Sequence, residues 1–486
     1  MSEGPFPSLL IRRDAMVPQG AFAEAQATFL KPDPAVVAEL RALLEAKRAG
    51  VVAHFYMDPE LQGVLSACDW PHIRISDSLV MADAGIDMAK EGIERVVVLG
   101  VDFMSENVRA MLDAAGHRNV EVYRVAADPI GCSLAESAEA RAYGAYLTRA
   151  SQTPRSLHVV YINTSLETKA RAHHLVPTIT CTSSNVVKTV LTAFADVPGL
   201  HVWFGPDTYM GQNLARLFEG LLSLDDDAIR AVHPAHDRAS IQSLLPRFHY
   251  FGQGTCIVHH MFGADVVATV RGHYDDVFVT AHLEVPGEMF QLALEAQQRD
   301  RGVVGSTSNI LNFITARVEA ALEGPSSSPY AGRPRLRFVL GTEAGMITAI
   351  VRAVQRQLAL READLEVEII FPVASEAVAR TADAELAIVP GVAGGEGCST
   401  AGGCATCPFM KMNSLDALLD LLGRTVDEPT DNLRPFFPRQ YTMRIGGRTA
   451  ADIGGEPILH MRHFQREGVL PPTLLEDIAG RRPKAG

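Results

Sequence analysis

The fold is decided by the stretch Val51-Val52-Ala53-His54-Phe55-Tyr56, a β-rich run that ends in polar side chains. The pattern recurs twice, as His158-Val159-Val160-Tyr161-Ile162-Asn163 and as Val277-Phe278-Val279-Thr280-Ala281-His282-Leu283-Glu284. A run that returns three times in the same context indicates an internal repeat with three copies. Each copy is therefore expected to open on a β-strand whose last residues are polar.

The same landmarks follow the opening strand in each copy. In the first copy, the hydroxyl-rich turn Ser76-Asp77-Ser78 enters a helix, and a second strand ends in Gly100, Asp102 and Met104. A helical stretch and then a cysteine complete the copy. The matching turns are Thr182-Ser183-Ser184-Asn185 and Gly305-Ser306-Thr307-Ser308-Asn309, and the matching glycine–acid–methionine sets are Gly205, Asp207, Met210 and Gly341, Glu343, Met346.

Strands that alternate with helical runs are typical of βαβ units and small parallel sheets. We predict an α/β fold of three similar α/β domains, each with a small parallel sheet flanked by helices, related by pseudo-threefold symmetry. The alternative is that the landmarks align by chance, because β-α-β periodicity is common. The predicted domains are an N-terminal extension (1–35), three repeats (36–132, 133–256 and 257–400) and a C-terminal extension (425–486), with residues 401–424 packing against the first repeat.

Composition narrows the class of protein. The 486 residues are 47% apolar and 21% charged, as in a soluble globular protein with several domains. A formal charge of −13, without a dense basic run, argues against binding to nucleic acid. The sequence has no apolar stretch of membrane-spanning length, and its first thirty-odd residues lack a signal-peptide core. We therefore expect a cytoplasmic enzyme that binds no membrane and is a monomer or homodimer.

Each repeat closes on one cysteine in a turn-like segment: Gly131-Cys132-Ser133, Gly254-Thr255-Cys256 and Cys404-Ala405-Thr406-Cys407-Pro408. Three soft ligands from three copies of one unit predict a single central metal site on the pseudo-threefold axis. Three thiolates are one fewer than a [4Fe-4S] cluster needs, which leaves one iron open for substrate. We predict that Cys132, Cys256 and Cys407 hold such a central iron–sulfur cluster.

The remaining cysteines have other interpretations. Cys398, Cys404 and Cys407 have the spacing C-x5-C-x2-C, but a structural zinc site needs four ligands and the sequence offers no nearby histidine. Cys398 and Cys404 are spare thiols or a redox pair that protects or regulates Cys407. Cys68 and Cys181 lie among apolar or β-branched residues and are predicted to be core residues.

The hydroxyl-rich turns offer backbone N–H groups and hydroxyls at a helix start, where carboxylate and phosphate bind well. The competing interpretation is that each turn is only an N-cap. Because three copies share the feature, we favour a polyanionic small-molecule substrate. Ligands of parallel sheets collect beyond the carboxyl ends of the strands. His282 and Glu284 are two residues apart, so they are expected to share a strand face as a general acid/base pair.

Together these residues resemble quinolinate synthase, the iron–sulfur enzyme family of de novo NAD biosynthesis, in its longer plant-type form. The resemblance runs from about Val51 to the tail. The plastid members carry a sulfur-transfer domain that this sequence is not expected to contain. The segments that carry the resemblance are His54-Phe55-Tyr56-Met57-Asp58-Pro59-Glu60, Gly100-Val101-Asp102-Phe103-Met104-Ser105-Glu106, Tyr161-Ile162-Asn163-Thr164-Ser165, Gly254-Thr255-Cys256-Ile257-Val258-His259 and residues 394–413.

The resemblance implies condensation of iminoaspartate with dihydroxyacetone phosphate to quinolinate, with release of phosphate and water. It implies a [4Fe-4S] cluster on the three cysteines that the repeats select. The implied partners are the two substrates, with transient contacts to an iminoaspartate-producing enzyme and to cluster-assembly proteins. The implied roles are catalysis by Glu284, Tyr56, His282 and Tyr161, with Glu284 as chief acid/base; carboxylate binding by His54, Ser78 and Ser183; a place near the open iron for Tyr161 and Asn163; and triose phosphate binding by His259, His282, Ser306 and Thr307.

Two other hypotheses remain open. One keeps the cluster and makes the chain a hydro-lyase for another polycarboxylate. The other is a non-catalytic cluster carrier or redox sensor that uses Cys398 and Cys404. A carrier has no use for polar strand ends and hydroxyl-rich turns, which counts against it.

Overall fold

The computed structural model describes residues 4–28, 30–323, 334–372, 406–424 and 430–483. They form two compact units, each assembled from separate stretches of the chain. Unit 1 consists of Met1–Asp77, Val125–Ile130 and Ile257–Pro435, and unit 2 consists of Ser78–Arg124, Gly131–Cys256 and Phe436–Gly486. Cys398 and Cys404, and with them the predicted redox pair, lie outside the described residues.

Helices and strands alternate along most of the chain, joined by a few short 3-10 turns. The strands are β1 (Ser8–Ile11), β2 (Met16–Gln19), β3 (Ala49–His54), β4 (Ile73–Ser76), β5 (Arg95–Leu99), β6 (Glu121–Arg124), β7 (Ser156–Tyr161), β8 (Thr178–Cys181), β9 (His201–Gly205), β10 (Phe248–Tyr250), β11 (Phe278–His282), β12 (Gly302–Gly305), β13 (Arg335–Gly341), β14 (Glu366–Ile370), β15 (Arg444–Ile445) and β16 (Arg448–Thr449). The helices are α1 (Ala21–Thr28), α2 (Pro34–Ala46), α3 (Pro59–Ala67), α4 (Ser78–Lys90), α5 (Asp102–Ala114), α6 (Ser133–Glu139), α7 (Arg141–Gln152), α8 (Leu166–Leu175), α9 (Val186–Asp196), α10 (Thr208–Leu221), α11 (Asp226–Val232), α12 (Arg238–Leu244), α13 (Ala264–His273), α14 (Gly287–Gln297), α15 (Thr307–Glu323), α16 (Ile347–Leu360), α17 (Leu415–Arg424), α18 (Thr430–Leu433), α19 (Ala450–Glu467) and α20 (Pro472–Gly480).

The repeats share one pattern of strand pairing. The sheet of unit 2 has the order β10-β9-β7-β8, and the third repeat contributes β14-β13-β11-β12 to the sheet of unit 1. All of these neighbours are parallel. In the first repeat, β3 is parallel to β4 within unit 1, and β5 is parallel to β6 within unit 2. The predicted α/β class with small parallel sheets flanked by helices is confirmed, whereas the domain boundaries and the threefold relation stay predictions.

Two helices cover the sheet of unit 1 because their apolar residues recur every three or four positions, which places them on one helix face. The helix α15 buries three such residues and α16 buries five, and both sets pack with Phe338 and Ile369 of the sheet in one apolar core. The buried residues are Ile310, Ile314 and Val318 of α15, and Ile347, Ile350, Val351, Val354 and Leu358 of α16.

The N-terminal stretch that the sequence analysis left as an extension adds two strands to this sheet. The strand β1 pairs with β14 and β2 pairs with β1, both antiparallel. Leu9 and Ile11 of β1 are completely buried in the same core as α15 and α16. The sheet of unit 1 therefore has six strands and takes its last two from the start of the chain.

The C-terminal extension is helical and belongs to unit 2. Its longest element, α19, begins after Thr449, whose hydroxyl accepts the N–H of Asp452 at 3.1 Å. It ends at Glu467, before Gly468, whose φ of 74° is the left-handed conformation common after a helix. Among the described residues, no helix combines the length and apolar character that a membrane span requires.

Candidate functional site

The opening strand of each repeat ends on a residue that was predicted for the site. His54, Tyr161 and His282 are the last residues of β3, β7 and β11, and all three are buried. The neighbouring strand of each sheet ends directly opposite and leads into the hydroxyl-rich turn. The opposite residues are Ser76 for His54, Cys181 for Tyr161 and Gly305 for His282.

His54 and His282 are held in unit 1 by the same kind of backbone contact. The Nδ1 atom of His54 accepts the N–H of Tyr56 at 3.2 Å, and Nδ1 of His282 accepts the N–H of Glu284 at 3.3 Å. Burial lowers the pKa of His54 to about 4 and the pKa of His282 to about 3. Both rings are therefore neutral near pH 7, and because Nδ1 accepts, Nε2 carries the ring hydrogen.

Glu284 is a buried carboxylate that lies between two imidazoles. One of its oxygens is 3.1 Å from Nδ1 of His259, and the other is 3.7 Å from Nδ1 of His282. The two rings are stacked, with centroids 4.9 Å apart. The prediction that His282 and Glu284 share a strand face is wrong, because β11 ends at His282 and Glu284 lies in the following turn. That turn nevertheless brings the predicted acid/base pair together.

Thr342 connects two of the predicted residues and was missed by the sequence analysis. Its Oγ1 lies 3.4 Å from the hydroxyl of Tyr56 and 3.4 Å from Nε2 of His259. The ring of Tyr56 also packs edge-on against His54, with centroids 4.6 Å apart. The available signal was position, since Thr342 lies inside the glycine–acid landmark of the third repeat. Tyr56, His259 and Thr342 thus form one polar cluster with His54, His282 and Glu284.

Glu343 anchors the segment of Cys407 in unit 1. Its carboxylate accepts the N–H of Cys407 at 3.1 Å through one oxygen and the N–H of Gly345 at 2.9 Å through the other. Burial raises the pKa of Glu343 to about 8.

Gln62 was also missed by the sequence analysis. Its side-chain amide donates to the carbonyls of Phe55, Met57 and Gly345 at 2.8–2.9 Å. Gln62 therefore fixes the two chain segments on either side of Tyr56 to the turn that follows Glu343.

The hydroxyl-rich turn of the third repeat is an N-cap, as the simpler interpretation predicted. The hydroxyl of Ser306 donates to Oδ1 of Asn309 at 2.7 Å, and the N–H of Asn309 points back to Ser306 Oγ at 3.3 Å. Thr307 is the buried first residue of the long helix α15. In the first repeat, Ser78 is likewise the buried first residue of α4. Capping and anion binding are compatible, because several N–H groups of a helix start stay unpaired within the helix itself.

Unit 2 carries Tyr161, Asn163 and Ser183. The N–H of Ile162 donates to the carbonyl of Cys181 at 2.9 Å, which sets the loop after β7 beside the turn that contains Ser183. In that turn, the hydroxyls of Thr182 and Ser184 are 2.8 Å apart. Asn163 and Ser183 are partly exposed.

Two of the predicted metal-binding cysteines lie on adjacent segments of unit 2. The hydroxyl of Ser133, next to Cys132, donates to the carbonyl of Thr255, next to Cys256, at 3.0 Å. Gly254 makes a close approach possible, since a Cβ there would lie 2.2 Å from the carbonyl oxygen of Pro206. The structure thus brings together the chain segments of two cysteines that are far apart in sequence.

The described cysteines fall into two groups by exposure. Cys132, Cys256 and Cys407 are partly exposed in loops, whereas Cys68 and Cys181 are buried, as the sequence analysis predicted for those two. Burial raises the pKa of the Cys181 thiol well above its ordinary value, which disfavours the thiolate that metals bind. Among the described residues no cysteine takes part in a disulfide. The three partly exposed thiols are therefore the ones whose chemistry fits a metal cluster.

Comparisons with known proteins identify the family. The family model described as quinolinate synthetase A protein matches residues 38–430, a range that contains all of the predicted site residues. The chain belongs to the quinolinate synthase family. Chloroplastic quinolinate synthases from Nicotiana tabacum, Arabidopsis thaliana and Oryza sativa subsp. japonica are 56%, 53% and 52% identical to it over 98–99% of its length. The chain covers 67–69% of the length of these relatives, and like them it is an enzyme that acts on small molecules.

The names of these quinolinate synthases correct one prediction. The sequence analysis expected a cytoplasmic enzyme, because no targeting segment was recognised at the start of the chain. The relatives from all three species are named chloroplastic, which contradicts that expectation. Composition and charge were a poor guide here because they do not distinguish a cytoplasmic enzyme from one inside an organelle.

Proposed function

We propose that this enzyme condenses iminoaspartate with dihydroxyacetone phosphate to quinolinate and releases phosphate and water. The observation that carries the proposal is the polar cluster of unit 1, in which the buried carboxylate of Glu284 lies between the imidazole of His282, at the carboxyl end of β11, and that of His259, on a short 3-10 helix. Such a cluster can move protons between carbon and oxygen atoms of a bound substrate, which condensation and dehydration both require. The identity of the two substrates is taken from the resemblance to the quinolinate synthase family.

Neutral imidazoles suit a substrate that carries several negative charges. The Nε2–H groups of His54 and His282 would donate hydrogen bonds to substrate oxygens without delivering a proton, because both pKa values lie well below 7. Proton transfer then falls to Glu284, the carboxylate in contact with His259. Tyr56 would add a hydroxyl to the same pocket wall.

The helix starts would bind the acidic groups of the substrates. Ser306 and Thr307, at the start of α15, and the neighbouring imidazoles of His259 and His282 are proposed to hold the triose phosphate. Ser78 and Ser183 precede or begin helices in the other two repeats and, with His54, would take the carboxylates. Holding both substrates in register lowers the entropic part of the barrier to carbon–carbon bond formation.

Cys132, Cys256 and Cys407 would hold a [4Fe-4S] cluster, which supplies Lewis-acid chemistry toward a substrate oxygen at the iron that no cysteine binds. Tyr161 and Asn163 are proposed to hydrogen-bond the substrate on the side of the cluster. The anchoring of Cys407 by Glu343, and of Cys256 by the turn at Gly254, supports this assignment.

The test is an anaerobic purification followed by iron and sulfide analysis and an assay of quinolinate formation from the two substrates. We expect about four irons per chain and activity. Cys132→Ala, Cys256→Ala and Cys407→Ala should each abolish activity and lower the iron content. Cys68→Ala and Cys181→Ala are the matched controls, because they remove buried thiols, and they should keep both iron and activity.

Other outcomes would select another hypothesis. A full cluster without quinolinate would favour a hydro-lyase for a different polycarboxylate. A chain that binds zinc but no iron would contradict the assignment of the three cysteines. A cluster that changes redox state reversibly, without turnover of any substrate, would favour the redox sensor.

A further inference from the structure

Unit 2 contains a buried group of three polar side chains that the proposed reaction does not use. Lys169 on α8 is 0% exposed and Glu106 on α5 is 1% exposed, an unusual position for charged side chains. Tyr441, from the C-terminal extension, reaches the same place. Burial of either charge alone is costly, so the arrangement requires both.

Lys169 holds the loop that follows β7. Its ammonium group donates to the carbonyl of Ile162 at 3.1 Å and to the carbonyl of Thr164. These two carbonyls flank Asn163. The loop is also closed on itself, since the N–H of Thr164 donates to the carbonyl of Ile162 at 2.7 Å and its hydroxyl to the carbonyl of Tyr161 at 3.1 Å. The buried Lys169 thus adds two hydrogen bonds to those that the loop around Asn163 makes within itself.

Glu106 connects this loop to the C-terminal extension. One carboxylate oxygen accepts the N–H of Leu166, at the start of α8, at 3.0 Å, and the other accepts the hydroxyl of Tyr441 at 2.8 Å. Burial lowers the pKa of Lys169 to about 7, and the charge of Glu106 opposes that shift. Burial in turn raises the pKa of Glu106. Each charge therefore supports the ionised form of the other.

The C-terminal extension also packs against the start of α8 directly. Gly454 on α19 lies so close to the carbonyl of Leu166 that a Cβ there would be 2.2 Å from its oxygen. Tyr441 and Gly454 both lie beyond residue 430, where the match to the family model ends. The C-terminal extension, which lies outside the matched range, thus packs next to the loop that carries Tyr161 and Asn163.

We propose that Tyr441, Glu106 and Lys169 are positioning residues through which the C-terminal extension fixes the loop Tyr161–Ser165 for substrate binding. The assignment of Tyr161 and Asn163 as substrate contacts rests on the proposed function, whereas the fixing of the loop does not. Neither Lys169 nor Glu106 takes a chemical step in this scheme. Their effect on the reaction passes through the backbone that they hold.

The test is hydrogen exchange of the backbone amides of residues 162–166 in three variants of the full chain. Lys169→Met removes the donor to both carbonyls while keeping an apolar stem of similar length. Tyr441→Phe removes only the hydroxyl that donates to Glu106. We expect exchange in this segment to be about tenfold or more faster in Lys169→Met, and several-fold faster in Tyr441→Phe, because a lost hydrogen bond to a charged group weakens local protection.

Tyr146→Phe is the matched control. The Tyr146 hydroxyl, in the same unit, donates to the carbonyls of Phe204 and His249 at 2.9 and 3.2 Å but has no such bond to the 161–165 loop. Tyr146→Phe should lower the free energy of unfolding to a similar extent as Tyr441→Phe. It should leave hydrogen exchange at residues 162–166 unchanged. Equal exchange in all three variants and the wild type would overturn the proposal, and so would acceleration by Tyr146→Phe as large as that by Tyr441→Phe.

A second measurement separates this proposal from the proposed function. With an unchanged iron content, Lys169→Met should lower kcat/KM for quinolinate formation about tenfold or more, because misplaced substrate contacts slow the reaction, and Tyr441→Phe should lower it by less. If no variant, including the wild type, makes quinolinate, the proposed function fails and the exchange experiment still decides whether the loop is fixed in this way. Faster exchange with unaltered kcat/KM would overturn the link to substrate binding.

Discussion

Buried histidine serves two different purposes in this enzyme. His54, His158 and His282 all have their pKa values lowered by burial, to about 4, 3 and 3. His54 and His282 use Nδ1 to accept a backbone N–H and keep the hydrogen on Nε2. His158 instead has one nitrogen 2.9 Å from the hydroxyl of Tyr143 and the other 3.4 Å from Oγ1 of Thr178. His54 and His282 therefore keep an Nε2–H group that can donate to a ligand. Both ring nitrogens of His158 face other side chains of the core.

Because of the buried His158, we expect unit 2 to become less stable as the pH falls. Its folded pKa lies below its unfolded value, so the stability that it contributes is present above about pH 6.5 and is lost as the pH falls toward 3. Between pH 6.5 and 5 the free energy of unfolding should fall by about 2 kcal/mol from this residue alone. Denaturant unfolding of wild type and His158→Gln at the two pH values measures the difference, and parallel pH dependence in both would contradict the prediction.

The sequence predicted the placement of residues at strand ends, which depends on local position. His54, Tyr161 and His282 could be found because a polar residue at the end of an apolar strand is visible in one short window. Thr342 and Gln62 could not, since their roles depend on contacts with residues as far as 286 and 283 positions away. The protonation state of the histidines was also hidden, because it depends on burial and on which nitrogen accepts a backbone hydrogen.

At the scale of elements, the repeat was predictable because polar residues recur in the sequence at the end of the opening strand of each copy. What could not be predicted is how turns are tied to one another. The acid of the repeated landmark caps the next helix turn in two copies, where Asp207 accepts the N–H of Met210 and Glu343 the N–H of Gly345. Glu343 does more, since it also holds Cys407, and no local pattern distinguishes it from Asp207.

The turn before Cys256 allows a direct test at this scale. Gly254→Ala would place a Cβ against the carbonyl of Pro206, which is backbone and cannot rotate away. We expect a loss of about 1–3 kcal/mol in the free energy of unfolding and a lower iron content, because the turn carries Cys256. Gly252→Ala is the matched control two residues earlier, since its Cβ meets nothing within 4 Å. If Gly252→Ala lost as much iron, the close approach at Gly254 would not be the cause.

At the scale of the whole molecule, each unit is assembled from separate stretches of the chain. The sequence analysis placed boundaries at the repeats, which is where local composition changes. Contacts between residues that are hundreds of positions apart do not change the local composition, so they cannot be found in this way. The strand β1 is the clearest case, because its partner β14 lies some 360 residues later in the chain.

Removal of residues 1–20 should therefore destabilise unit 1 selectively. It takes away β1 and β2 and exposes the apolar surface that Leu9 and Ile11 cover, at a cost of about 3–6 kcal/mol. Hydrogen exchange in β13 and β14 should increase while exchange in β7 to β9 stays the same. The control is Val17→Thr on β2, at a side chain that is 36% exposed, which should change little. Equal loss of protection in both units would contradict the prediction.

The late partner of β1 also has a consequence for synthesis on the ribosome. Because β14 follows β1 by some 360 residues, the first strands wait for about 20–70 s at ordinary elongation rates before their sheet exists. During that time the apolar segment Leu9, Leu10 and Ile11 has no sheet to join, and such a segment can pair with other chains and aggregate. The yield of folded protein in a cell should therefore depend on chaperones that bind nascent chains, and not only on the stability of the folded protein.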